Sequence, residues 1–292
     1  MNTTKKIILV PVDFSPQSLI ALHHAEVIAK TLNSDLMLLH VTGDQGIISS
    51  IFSSDDDKVR TEVWNRMNAL TAEVEQRSKL RVTPMVADGK IYEEVVRVSE
   101  MAGATFIVMG TNGSDGIRKR FIGSNALRVV RESRVPVISI KGQPNHDGFK
   151  RIILPLDLTK ETREKVNKAI ELSRYFKAEI RVVSILLTDD EEVVNKLQVQ
   201  LNQVKHFLER AEVNCSAELI KAPEDHENLG EEVVKYAQNN QGDMIMIMTQ
   251  QEINFTDLFV GSAAQEVINS SEIPVCSIIP TVRRDTTVFV PY

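Results

Sequence analysis

Three short segments recur in the same order about 140 residues apart, and no other feature constrains the fold as much. Lys6-Ile7-Ile8-Leu9-Val10-Pro11-Val12-Asp13 returns, one residue shorter, as Arg151-Ile152-Ile153-Leu154-Pro155-Leu156-Asp157. Phe121-Ile122-Gly123-Ser124 is echoed by Phe259-Val260-Gly261-Ser262, and Val135-Pro136-Val137-Ile138-Ser139 by Ile273-Pro274-Val275-Cys276-Ser277. A chain of 292 residues, 42% of them hydrophobic, has enough apolar material for two cores. The repeat therefore reads as two domains of one fold, residues 1–142 and 149–282, followed by a tail over 283–292. The polar stretch from Lys141 to Phe149, with its Gly and Pro residues, is the natural linker.

Short apolar runs in the first half predict strands at Ile7 to Val12, Leu36 to Val41, Arg81 to Val86, Phe106 to Met109 and Val137 to Ile140. Helical patterns fill the gaps: Ser15 is placed to cap and Pro16 to open the first helix, and others span about Lys58 to Ser78, Ile91 to Ala102 and Ser124 to Arg131. The second half repeats the alternation, with strands near Ile152, Ile180, Ala217, Met244 and Val275. Continuous apolar strands alternating with helices predict an α/β chain of two tandem doubly wound domains, each with a five-stranded parallel sheet covered on both faces.

Within the first half, Gly110-Thr111-Asn112-Gly113-Ser114-Asp115-Gly116 and Gly123-Ser124 lie between the fourth apolar run and a helical pattern. Glycines let the backbone approach a ligand, and amides at a helix N-terminus supply donors and partial positive charge to phosphate oxygens. Arg118, Lys119 and Arg120 add cations to the same segment. This context points to a nucleotide; the plainer alternative is a surface turn leading into a capped helix. In an open parallel sheet, ligands sit outside the carboxyl ends of strands where the winding reverses. That would bring Asp13, at the end of the first strand, opposite Gly110, at the end of the fourth.

Pro11-Val12-Asp13, Val41, Met109-Gly110-Thr111-Asn112-Gly113, Gly123-Ser124 and Val135-Pro136-Val137 resemble the universal stress protein domain in its ATP-binding form, and both halves share in the likeness. The resemblance implies an adenine nucleotide alpha hydrolase-like fold with sheet order 3-2-1-4-5, ATP in the crevice between strands one and four, and domains associated through their fifth strands. It also implies a role in stress tolerance rather than a defined metabolic reaction. Carried over by position, Gly110, Gly113, Gly123, Ser124 and the amide of Asn125 would hold ribose and phosphates. Asp13 and Val41 would lie on the adenine and ribose side, with Pro11, Val12 and Met109 as apolar walls. Mg2+ is expected to accompany the triphosphate, with no protein ligand to name. The competing readings are a carboxylate that caps the turn at Ser15 for Asp13, and plain strand packing for Val41 and Met109.

The second half departs from this pattern. Where Gly110 to Gly113 would fall it reads Thr249-Gln250-Gln251-Glu252, and ten of the 13 glycines lie at or before Gly148. Side chains crowding the phosphate position predict that this half does not bind ATP in the same manner.

A net charge of -6 gives no general attraction to nucleic acid or anionic membrane, and no run reaches the ~18 apolar residues of a membrane span. A cytoplasmic location is the default expectation. Cys215 and Cys276 make no disulfide framework, and the six histidines lack metal-site spacing. No nucleophile elbow, Walker lysine or Cys-His arrangement appears, so no catalytic residue and at most slow ATP hydrolysis are expected. The leading reading is a nucleotide-dependent sensor or regulator; the alternatives are an interaction scaffold with incidental nucleotide and a weak ATPase. Val135–Ile140 against Ile273–Ile278 is the expected contact between the halves. The apolar tail Thr286–Tyr292 would add a strand or cover a groove, in this chain or in a homodimer.

Overall fold

A computed structural model describes residues 5–43, 56–111, 122–142, 148–157, 162–223, 228–249 and 262–280. The first half runs β1 (Ile7–Pro11), α1 (Pro16–Leu32), β2 (Asp35–Thr42), α2 (Asp56–Ser78), β3 (Val82–Asp88), α3 (Ile91–Met101), β4 (Ala104–Gly110), α4 (Ser124–Glu132) and β5 (Val137–Ile140). The second half runs β6 (Arg151–Pro155), α5 (Thr162–Phe176), β7 (Glu179–Leu186), α6 (Glu191–Arg210), β8 (Cys215–Lys221), α7 (Leu229–Asn239), β9 (Met244–Met248), α8 (Ser262–Ser270) and β10 (Val275–Ile278).

All ten strands form one sheet in the order β3-β2-β1-β4-β5-β10-β9-β6-β7-β8, so each half has the order 3-2-1-4-5. Pairing is parallel within each half and antiparallel at the join, where Val275, Cys276 and Ser277 face Ser139, Ile138 and Val137. The expected fifth-strand contact is therefore made within the chain. It explains why β5 and β10, which would be edges of isolated domains, are buried along their whole length. The true edges are β3 and β8, both partly exposed, and Pro84 is tolerated in β3 because an edge strand can spare a donor.

Each sheet face is covered by helices from both halves. Residues of α1, α2, α5 and α6 pack one continuous core, and residues of α3, α4, α7 and α8 pack the other. Phe106 of β4 is 1% exposed and lies 6.2 Å from the rings of both Tyr175 and Phe176 in α5, while Phe149 meets Phe176 edge-on at 5.0 Å. This aromatic seam joins the halves across one face, as the strand pairing joins them through the sheet.

The duplication extends to single hydrogen bonds. Val12 N donates to Leu39 O as Leu156 N does to Val183 O, both at 2.8 Å. The Ser133 hydroxyl, between α4 and β5, bonds Val135 O and Val135 N; Ser271 repeats this with Ile273. At the helix starts, Ser15 caps α1 by accepting from Ser18 N at 3.2 Å with Pro16 in the first turn, and Asp190 caps α6 through Glu192 N at 2.8 Å.

Candidate functional site

The chain leaves β1 through α1 on one face of the sheet and leaves β4 through α4 on the other, so the carboxyl ends of β1 and β4 flank a reversal of winding. Pro11, Val12 and Asp13 stand at the end of β1, Val41 near the end of β2, Met109 and Gly110 at the end of β4, and Ser124 and Asn125 in the first turn of α4. The structure thus gathers nine of the ten expected site residues at one edge of the sheet, Gly123 included; Gly113 and the cations Arg118 to Arg120 lie outside the described residues.

Their side chains divide between the faces. Val12 is buried in the core under α1 and α2, whereas Met109 is buried and Val41 half-buried in the core under α3 and α4. Ser124 is exposed and Asn125 half-buried.

The turn after β1 is built around a left-handed residue. Phe14 has φ 62°, a costly conformation for a bulky side chain. Its ring is held 5.1 Å from that of His40, and the Arg66 guanidinium lies 4.3 Å over its face. His40 Nδ1 lies 2.7 Å from Val12 O, so Nδ1 carries the proton and donates to that carbonyl. The reversal at Phe14 lets Asp13 Oδ1 accept from Ser15 N at 3.0 Å. Asp13 does cap the turn at Ser15, while its carboxylate remains exposed at the crevice.

Gly110 has a packing reason to be glycine. A Cβ there would lie 2.8 Å from Gln17 Cγ and 3.1 Å from Gln17 O, so only glycine lets the first turn of α1 close over the end of β4. Gln17 then reaches on to donate to Ile140 O at 2.9 Å. Thr111 N donates to the same carbonyl at 3.0 Å, and Gly123 N donates to Thr111 O at 2.7 Å. That last bond closes the two ends of the glycine-rich segment and sets Gly123 as the N-cap of α4. The amides of Ser124, Asn125 and Ala126 follow at the helix start, where α-helical geometry provides no intrahelical acceptor and the dipole favours an anion. Gly123 itself spends its amide on Thr111. Sequence reasoning missed Phe14, Gln17 and His40, none of which belongs to a spaced pattern.

The frame of this turn recurs in the second half. Ser184 Oγ donates to Leu156 O as His40 does to Val12 O. Pairing also corrects the expected correspondence. Gly110 pairs with Ile140 and Met248 with Ile278, so Met248, not Thr249, takes the place of Gly110; Thr249 N matches Thr111 N. Among the described residues, no group of three or more His, Cys, Asp or Glu could hold a metal ion, and no helix is long and apolar enough to cross a membrane.

The fold defines the class: a tandem pair of doubly wound α/β domains. The universal stress protein family matches the sequence twice, over residues 5–141 and 148–278, and the chain belongs to that family. A universal stress protein of Methanocaldococcus jannaschii is 26% identical over 159 residues, covering 48% of this chain and 98% of its own. Another from Bacillus subtilis is 24% identical over 143 residues, covering 46% and 97%. The crystal structure of a universal stress protein from Archaeoglobus fulgidus superposes with a TM-score of 0.74 at 16% identity, covering 94% of this chain and 97% of the other, and so shares the two-half fold.

Proposed function

We propose that the first half binds one adenine nucleotide, ATP with Mg2+, in the crevice between β1 and β4, and that the protein acts as a nucleotide-dependent stress-response regulator in the cytoplasm. The observation that carries this reading is the 2.7 Å bond from Gly123 N to Thr111 O, which fixes the start of α4 beside the end of β4. Phosphate oxygens would take the amides of Ser124 and Asn125 and the Ser124 hydroxyl, with Gly113 and the Arg118 to Arg120 cations completing their surroundings. Asp13 suits a sugar hydroxyl better than a phosphate, which it would repel. Pro11, Val41 and Met109 would act as the apolar walls, while Val12, its side chain buried in the core on the other face, would contribute backbone alone.

Among the described residues, the amides at the start of α4 and the Asp13 carboxylate suit binding and orientation of a ligand, and we favour a sensor over a fast ATPase. The second half, with Met248 in place of Gly110, is proposed to bind no ATP in this manner. Calorimetric titration of the full chain with Mg-ATP is expected to give one site, abolished by Gly123→Val. Two equivalent sites, or none, would overturn the reading.

A further inference from the structure

Ile122 N, immediately before the N-cap of α4, donates to Asn269 Oδ1 at 2.9 Å. Asn269 belongs to α8 of the second half and is 7% exposed. Two consecutive amides at the start of α4 are thus anchored differently: Gly123 to Thr111 of its own half, Ile122 to a side chain of the other. Together they fix the backbone leading into the turn whose free amides form the proposed phosphate site.

The first half grips the same residue a second time. Lys141, which directly follows β5, donates through Nζ to Asn269 O at 2.7 Å and lies 3.5 Å from Glu272 Oε1, with its side chain only 13% exposed. A cation on a carbonyl in the last turn of α8 also complements the helix dipole. Beside it Gly142 passes so close to Glu272 O that a Cβ would stand 2.2 Å away, so the contact is tight as well as polar.

In α4 the residue equivalent to Asn269 is Arg131, whose guanidinium has no acceptor atom, so a side chain that accepts an amide proton at this position is particular to α8. The half that retains the glycine motif has its helix start held by that side chain.

We propose that Asn269 is a positioning residue for the nucleotide site of the first half, so that the second half, lacking a glycine motif of its own, is a working part of that site. The inference rests on the reading given under Proposed function. By linkage, a nucleotide that prefers the anchored form of α4 also stabilises the contact between α4 and α8, giving the two halves a means of communication.

The test is calorimetry on the full chain with Mg-ATP and, separately, with adenosine. Asn269→Ala leaves the Ile122 amide without its acceptor, and ATP is expected to bind about tenfold more weakly. Adenosine, which has no phosphate to place, should bind within about twofold of its original affinity, and hydrogen exchange at the Ile122 amide should accelerate. Should the alanine variant fail to fold, Asn269→Ser keeps a small polar group whose hydroxyl is too short to reach that amide. Unchanged ATP affinity, or equal losses for ATP and adenosine, would overturn the positioning role. Wild-type protein that binds neither ligand would instead remove the proposed function beneath it.

Discussion

Gly110→Ala separates a glycine kept for packing from one kept for a ligand. The added methyl would sit 2.8 Å from Gln17 Cγ, 3.1 Å from Gln17 O and 3.2 Å from Gln17 C. The side-chain contact can be relieved by rotating Gln17, at the loss of its bond to Ile140 O, but the backbone contacts require the first turn of α1 to lift off β4. Overpacking of this kind costs about 1–3 kcal/mol, and with a neutral hydrogen bond lost we expect about 2 kcal/mol in the absence of nucleotide. At about 2 cal/mol/K of unfolding entropy per residue, that lowers Tm by about 3 °C if the chain unfolds as one unit, or about 7 °C if the first half unfolds alone. Scanning calorimetry on the nucleotide-free protein reads both the penalty and the cooperativity of the ten-stranded sheet. Adding Gln17→Ala should recover only part of the loss, because the backbone atoms of residue 17 remain. A Gly110→Ala protein as stable as its parent would refute the packing argument and leave the glycine to the ligand alone.

Phe106→Ala removes the ring that meets Tyr175 and Phe176 and should cost about 3–5 kcal/mol in chemical denaturation, a loss felt by both halves because the cavity opens on their common seam. The Glu179 carboxyl is held below its ordinary range chiefly by hydrogen bonding to Arg151, with Arg181 adding to it. A lowered pKa in the folded state means that its stabilisation is present above the ordinary carboxylate range and fades as pH falls through it. Glu179→Gln should therefore lower stability by about 1 kcal/mol at neutral pH and flatten the decline below about pH 5, measured by urea titration across pH. Burial pushes the Cys276 thiol up to about 12, so in the folded protein an alkylating reagent at neutral pH should label only Cys215, slowly, and should reach Cys276 after unfolding, as read by mass spectrometry.

Much of the fold was legible because its signals are local. Ser15 and Pro16 announce the start of α1, and the runs Ile7–Val12 and Val137–Ile140 mark strands to within a residue. The join of β5 to β10 was legible for another reason: the family resemblance implies association through the fifth strands, and two equivalent edges in one chain can cover one another. What escaped depends on contacts between residues far apart in sequence. The crowding that demands glycine at 110 comes from Gln17, and the register that makes Met248 its counterpart is decided by pairing with Ile278, which residue spacing alone does not reveal. Asn269 carries no sequence signal, since a polar residue near a helix end is ordinary until the partner of its side chain is known. Gly113, the Arg118 to Arg120 cations and the tail Thr286–Tyr292 lie outside the described residues, so their expected roles rest on the sequence.

The second half, poor in glycine, makes different contacts at the place that Asp13 occupies in the first. Asp157 holds the place of Asp13, but there Lys165, its side chain 9% exposed, brings Nζ to 3.5 Å from Asp157 Oδ1, and Gln200 donates to Asp157 O at 3.0 Å. In the first half Ala21 occupies the position of Lys165 along the helix, so no ammonium approaches Asp13 from there. A buried amine needs a counter-charge, and Asp157 supplies one from within the chain. The second half thus has Met248 where Gly110 stands and a Lys165–Asp157 ion pair at the place of Asp13. Its remaining duties are then the ones its contacts describe: to cover β5, to pack Tyr175 and Phe176 on Phe106, and to hold the start of α4 through Asn269. On the proposed reading, one copy presents the nucleotide site and the other holds the start of its helix α4 through Asn269.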